Sequence, residues 1–343
     1  MIRVMINFPF SGYEKGSARE DLFWRIVEVS ASHADPVIVV ISEDTIARAG
    51  GQYARAFLDD PRSARLAVHR TWSVDTCQTW IAGWGVALGM LPCTGMDGRG
   101  ALMLPRPKDD DRIILLPGDI DAVADPADFF RCRLPDFLAM DGFNDFVIGD
   151  FETGQKLAAK DLIDLYGTYP LLAVWFPDIA RATRDRTIWK PRSEFINVRA
   201  HVLQDMLIGQ RKFAYEQTLN MLIHSWNFDS DTWKYRIVAF PLGTFADDPD
   251  SRNISGAIDQ VERTERMLKM VWREFEFAAA KDEARKGALA ASADEQSERY
   301  RETFSRILGE KSDLILKQYE GREEASRAIE AAARVTILSF IMR

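Results

Sequence analysis

Apolar residues come first in short unbroken runs and later in helical spacing. RVMINF (3–8), PVIVVIS (36–42) and IILLPG (113–118) barely alternate with polar residues, the pattern of strands covered on both faces. RLAVH (65–69), FVIG (146–149) and YRIVAFPLG (235–243) are three further strand signals. Helical spacing occupies 18–32, 45–58 and 76–91, and another helix begins near Pro126. Strands alternating with helices in this way predict an α/β fold, a mostly parallel sheet covered by helices. In such sheets ligands sit beyond the carboxyl ends of the strands.

The second half reads differently. Residues 158–226 are expected to be mainly helical, with a break at KPRSEF (190–195), and 255 onward to be helical to the end. Residues 283–298 hold few large apolar side chains and read as a solvated helix or a flexible join. The tail AARVTILSFIMR is apolar enough to pack on a partner helix or, in a homodimer, on a second subunit. These shifts divide the chain into 1–150, 151–254 and 255–343. The first two are halves of one α/β domain, and the third is a helical extension for packing or oligomerisation.

The composition narrows the function. Lys and Arg number 44 against 52 Asp and Glu, a net charge of −8, which argues against a general nucleic-acid binder. No run approaches the roughly 20 apolar residues of a membrane span. The start MIRVMINFPF reads as a strand rather than a leader. Cys77, Cys93 and Cys132 have no CxxC spacing and fit free thiols in a reducing, cytoplasmic setting. His33, His69, His201 and His224 form neither HxxxH nor HExxH, so a zinc enzyme is not expected. The close-set Trp72, Trp80 and Trp84 fit helix core better than a stacking platform.

The fourth long strand signal ends in PGDID, with Asp119 and Asp121 two residues apart. Two carboxylates at that spacing can reach one ion where the backbone turns. Oxygen ligands suit Mg²⁺ or Mn²⁺, which complete their shells with water and substrate phosphates. The alternative is ordinary acidity at the start of a loop.

Together with NFPFSGYE (7–14), SED (42–44) and DFVIGDF (145–151), PGDID resembles the nucleotide-sugar core of GT-A fold glycosyltransferases. The similarity is to family 2-like enzymes and the glycerate-directed glucosyl and mannosyl synthases. It extends through PRSEFINVRAHVLQDML and FAYEQTLNMLI to about residue 275. The resemblance implies a Rossmann-like, mostly parallel sheet and transfer of a sugar from a UDP- or GDP-sugar to a small or lipid-linked acceptor. It implies that Pro9, Phe10, Asp44 and Asp119 line the donor site. Asp121 would ligate the metal, with Asp119 beside it; Asp248 or Asp247 reads either as a substitute oxygen ligand or as a solvated loop charge. Glu216 would be general base in an inverting enzyme or orient the sugar or acceptor in a retaining one; it also reads as a helix N-terminal carboxylate. Arg192 and Ser193 would bind an acceptor phosphate or carboxylate, or Ser193 simply caps a helix with Asn197 in its first turn. Two features differ from the family. No Lys or Arg lies between Ser73 and Leu91, and GTFADDPD lacks a late His. A sugar-phosphate nucleotidyltransferase and a non-catalytic scaffold of the same fold are the competing readings. The first normally opens with a Gly-rich basic loop, and NFPFSGYEKGS lacks that compact pattern.

Overall fold

A computed structural model of the chain describes residues 1–9, 13–42, 51–71, 76–94, 100–118, 120, 123–140, 144–153, 162–185, 193–207, 217–227, 229–245, 257–279, 291–318 and 323–342. The chain divides into two units. The first holds Met1–Phe151, Trp189–Leu219 and Tyr235–Gly243, and the second Glu152–Ile188, Asn220–Lys234 and Thr244–Arg343.

The first unit is built on one large mixed sheet. Its centre is four parallel strands, β1 (Ile2–Asn7), β2 (Val37–Ser42), β3 (Ala67–Thr71) and β6 (Arg112–Pro117), in the order β6-β1-β2-β3. Every residue of β2 and β6 is buried, as expected of apolar runs without alternation. Beyond β3 lie two-residue strands β4 (Cys93–Thr94) and β5 (Ala101–Leu102), too short to have a sequence signal. Beyond β6 come β8 (Ile196–Arg199), β7 (Phe146–Thr153) and β11 (Ile237–Phe245). The architecture is therefore α/β with a mostly parallel sheet, compatible with a Rossmann-like layout.

The described residues of 158–226 are mainly helical, as expected, but the strand β8 follows the break at 190–195 and is not anticipated from the sequence. It runs antiparallel to both neighbours, with Asn197 opposite Ile114 of β6 and Val147 of β7. Its alternation, Ile196-Asn197-Val198-Arg199, is only four residues long, and a helix, Ala200–Leu207, starts at the next residue, so the segment blends into a helical pattern. Asn197 is 0% exposed, and its Nδ2 donates to the carbonyls of Phe137 at 2.9 Å and Met140 at 3.4 Å. It thereby satisfies acceptors at the end of the helix Leu134–Ala139. Asn197→Leu keeps the volume and removes that donor. It is expected to cost about 2 kcal/mol in urea unfolding, the penalty for unmet buried carbonyls. A change below about 0.5 kcal/mol would show that the carbonyls do not need the side chain.

Helices cover both faces. On one, helix α1 (Ala18–Ala31) begins at Ser17, whose Oγ accepts from the Glu20 N–H at 3.1 Å. Its Phe23 meets Phe8 edge-on with ring centroids 5.4 Å apart, while Phe57 of α2 (Gln52–Leu58) lies 5.0 Å from Phe8. On the other face lies α3 (Thr76–Ala87), where Trp80 and Trp84 are buried, as helix core requires. At Gly83 a Cβ would fall 2.0 Å from Met5 Sδ and 2.8 Å from Val40 Cγ2, so α3 sits flush against β1 and β2.

Among its described residues the second unit is mainly helical, with a two-stranded hairpin of β9 (Trp226–Asn227) and β10 (Thr232–Trp233). Helices Ala257–Ala279, Ala293–Gln318 and Glu323–Ile341 supply its bulk. In the last, Ile329, Ala333, Ile337 and Ile341 are buried at four-residue spacing, a single helical stripe. The neighbouring Phe340 ring lies 5.0 Å from Trp272 of Ala257–Ala279. The apolar tail is thus packed on a helix of its own unit. No helix among the described residues is long and apolar enough to cross a membrane.

Candidate functional site

The parallel strands β3, β2, β1 and β6 all end at one edge, the edge where ligands bind in sheets of this class. Two features shape it. The first is Gly118, directly after β6. A Cβ on this residue would lie 1.9 Å from the carbonyl oxygen of Asn7 and 3.2 Å from Pro9 Cδ. No side chain fits there, so the segment leading into Asp119 is pressed onto the end of the central strand. Pro9 is buried beside this approach. Ile120, between the two aspartates, is 5% exposed.

The second feature is a row of polar side chains. Registered neighbours share a face, so Met5 and Asn7 of β1, Val40 and Ser42 of β2, and His69 and Thr71 of β3 lie on the side covered by α3. Toward the amino ends that face carries Met5, Ile38 and Ala67, with the buried Arg3 guanidinium donating to the carbonyls of Ala87 and Pro105. At the carboxyl edge it presents Asn7, Ser42 and Thr71 on three adjacent strands. His69 is turned to structural use, its Nδ1 lying 2.8 Å from the Pro92 carbonyl. Burial lowers its pKa against the opposing effect of that carbonyl, which keeps the ring neutral at pH 7.

Asn7 is the residue that sequence reading passed over. It is 5% exposed, and among the described residues neither its Oδ1 nor its Nδ2 has a hydrogen-bond partner. The available signal was a carboxamide as the only polar residue in the run VMINF, one residue before the strand signal ends.

Ser193 is 3% exposed, donates from Oγ to the Gly149 carbonyl at 2.6 Å and accepts from the Phe195 N–H at 3.2 Å. It ties the start of β8 to β7 and caps no helix, because a strand and not a helix follows. Phe10, Asp44, Asp119, Asp121, Arg192, Glu216 and Asp248 lie outside the described residues. Of the expected site residues, then, Pro9 stands at the carboxyl edge, while Ser193 serves the joint between β7 and β8. Among the described residues no three His, Cys, Asp or Glu side chains are grouped to hold a metal ion.

Gly118, the residue before Asp119, lies close against the end of β1, while both aspartates lie outside the described residues. The donor set itself is all oxygen, as Mg²⁺ and Mn²⁺ prefer. No protein-family model matches the chain, and no curated protein matches it in sequence.

Proposed function

We propose that the chain is a GT-A type glycosyltransferase that moves a sugar from a nucleoside-diphosphate sugar to an acceptor hydroxyl. The observation that carries this reading is the attachment of PGDID at the carboxyl end of β6, beside the central strand. The strand order supports it too, with antiparallel β8 between β6 and β7.

In this reading Asp119 and Asp121 hold Mg²⁺ or Mn²⁺. A divalent ion supplies charge stabilisation for the departing diphosphate. The remaining tasks fall to the chain. Pro9, Phe10 and Asp44 bound the nucleoside. The acceptor oxygen forms its bond to the anomeric carbon as the bond to diphosphate breaks. Glu216 takes the acceptor proton if the configuration inverts, and orients the sugar or acceptor if it is retained. Arg192 meets an acidic group on the acceptor through its guanidinium fork. Ser193 holds the adjoining loop through Gly149 and Phe195.

The test is thermal unfolding with UDP-, GDP-, ADP- and CDP-sugars, each with and without Mn²⁺. A donor at 100 times its Kd adds about 2.7 kcal/mol of stability. The expected result is a shift from one nucleotide that requires the metal. No shift from any donor would remove the enzyme reading and bring the scaffold reading forward.

A further inference from the structure

We infer that Asn7 reads the base of the bound nucleotide, its carboxamide pairing with the hydrogen-bonding edge of the heterocycle. This rests on the nucleotide-sugar reading and adds to it a residue that selects among nucleotides.

The first observation is the orphaned amide. Asn7 ends β1, is 5% exposed, and has neither its donor nor its acceptor paired among the described residues. Native proteins rarely leave both halves of a buried amide unmet, because each costs stability. A β-branched residue would suit the position better in a strand buried on both faces. Elsewhere in the same unit the buried Asn197 also has an unmet Oδ1, but its Nδ2 is bonded to the carbonyls of Phe137 and Met140. The carboxamide that serves the fold thus has its donor in use, whereas at Asn7 neither donor nor acceptor is met among the described residues.

The second observation is position. Asn7 lies in the polar row with Ser42 and Thr71, on the face that α3 covers and at the edge where ligands bind. The acidic pair follows β6 on the opposite flank of β1. A nucleoside diphosphate with its charged end at β6 extends its nucleoside over β1, β2 and β3. A planar group with donor and acceptor side by side is matched by the planar edge of a base, which carries the same pair in reverse.

The experiment compares wild type with Asn7→Val, which suits a buried strand and removes the amide. Unliganded Asn7→Val is expected to melt a few degrees higher, having lost an unmet polar group. Titration calorimetry with UDP, GDP, ADP and CDP in Mn²⁺ is then expected to show the preferred nucleotide weakened by about tenfold or more. The others should change by less than about threefold, so that the preference collapses. An unchanged preference would make Asn7 a structural residue and overturn the inference. Equal weakening of all four would move the contact to ribose or phosphate and overturn it as well. Should Asn7→Val fold poorly, Asn7→Thr carries the same comparison with a strand-compatible hydroxyl. Failure of the wild type to bind any nucleotide would be failure of the glycosyltransferase reading itself, seen before any variant is made.

Discussion

Replacing Asp121 with alanine is expected to reduce sugar transfer by about 10²–10³-fold while leaving the melting temperature within a degree or two of wild type. Charge builds on the diphosphate as the bond to the sugar breaks. A carboxylate that holds a divalent ion there acts on the transition state far more than on the folded chain. Asp121 follows the end of β6 and is outside its hydrogen-bonded ladder, so its charge is expected to contribute little to stability. The check is turnover of the donor identified by thermal shift, with Mn²⁺ varied over a wide range. Full activity in Asp121→Ala would end the metal role assigned to PGDID. Lost activity with a collapsed melting transition would show that the residue serves the fold.

Gly118→Ala is expected to be the most damaging single-methyl change among the described glycines. Its Cβ would stand 1.9 Å from the Asn7 carbonyl oxygen and 3.0 Å from the carbonyl carbon. These are backbone atoms of a strand paired on both sides, with β2 and with β6. Relief requires separating β1 from the end of β6, and a cost of about 3 kcal/mol or more is expected. Urea unfolding should show the midpoint falling with little change in slope. Gly309→Ala serves as the control. That glycine lies in the helix Ala293–Gln318 with nothing within 4 Å of its Cβ position. There alanine should stabilise by about 0.5–1 kcal/mol through helix propensity. Were Gly118→Ala as stable as wild type, the end of β6 would not be held against β1, and the geometric support for the site would go with it.

The two aspartates of PGDID were visible in the sequence because a fully apolar run stops at them abruptly. The importance of the glycine before them was not. A glycine after a strand is ordinary turn chemistry, and only the separation between the ends of β1 and β6 shows that any side chain there would meet a carbonyl. Ser193 illustrates the same limit. As a serine before an expected helix it reads as a cap or an acceptor ligand, and the reading changes once PRSEFINV is seen to enter a strand. Its hydroxyl then faces the Gly149 carbonyl, 44 positions earlier in the chain.

Local chemistry alone determined the α/β class, the central strands, the helices on their faces and the long helices at the end of the chain. These follow from whether each segment can bury its apolar side chains at a period near 2, near 3.6, or on both faces at once. Pairings distant in sequence were decided only by the tertiary structure. They include the antiparallel insertion of β8 between β6 and β7, the packing of the last helix on Ala257–Ala279, and the polar row of Asn7, Ser42 and Thr71. None leaves a periodic trace, because each depends on which surfaces remain to be covered once the local elements exist. Asn7 shows the difference most plainly. In the sequence it is one polar letter in an apolar run. In the folded sheet it is a carboxamide without a partner among the described residues, at the edge where a parallel sheet binds its ligands.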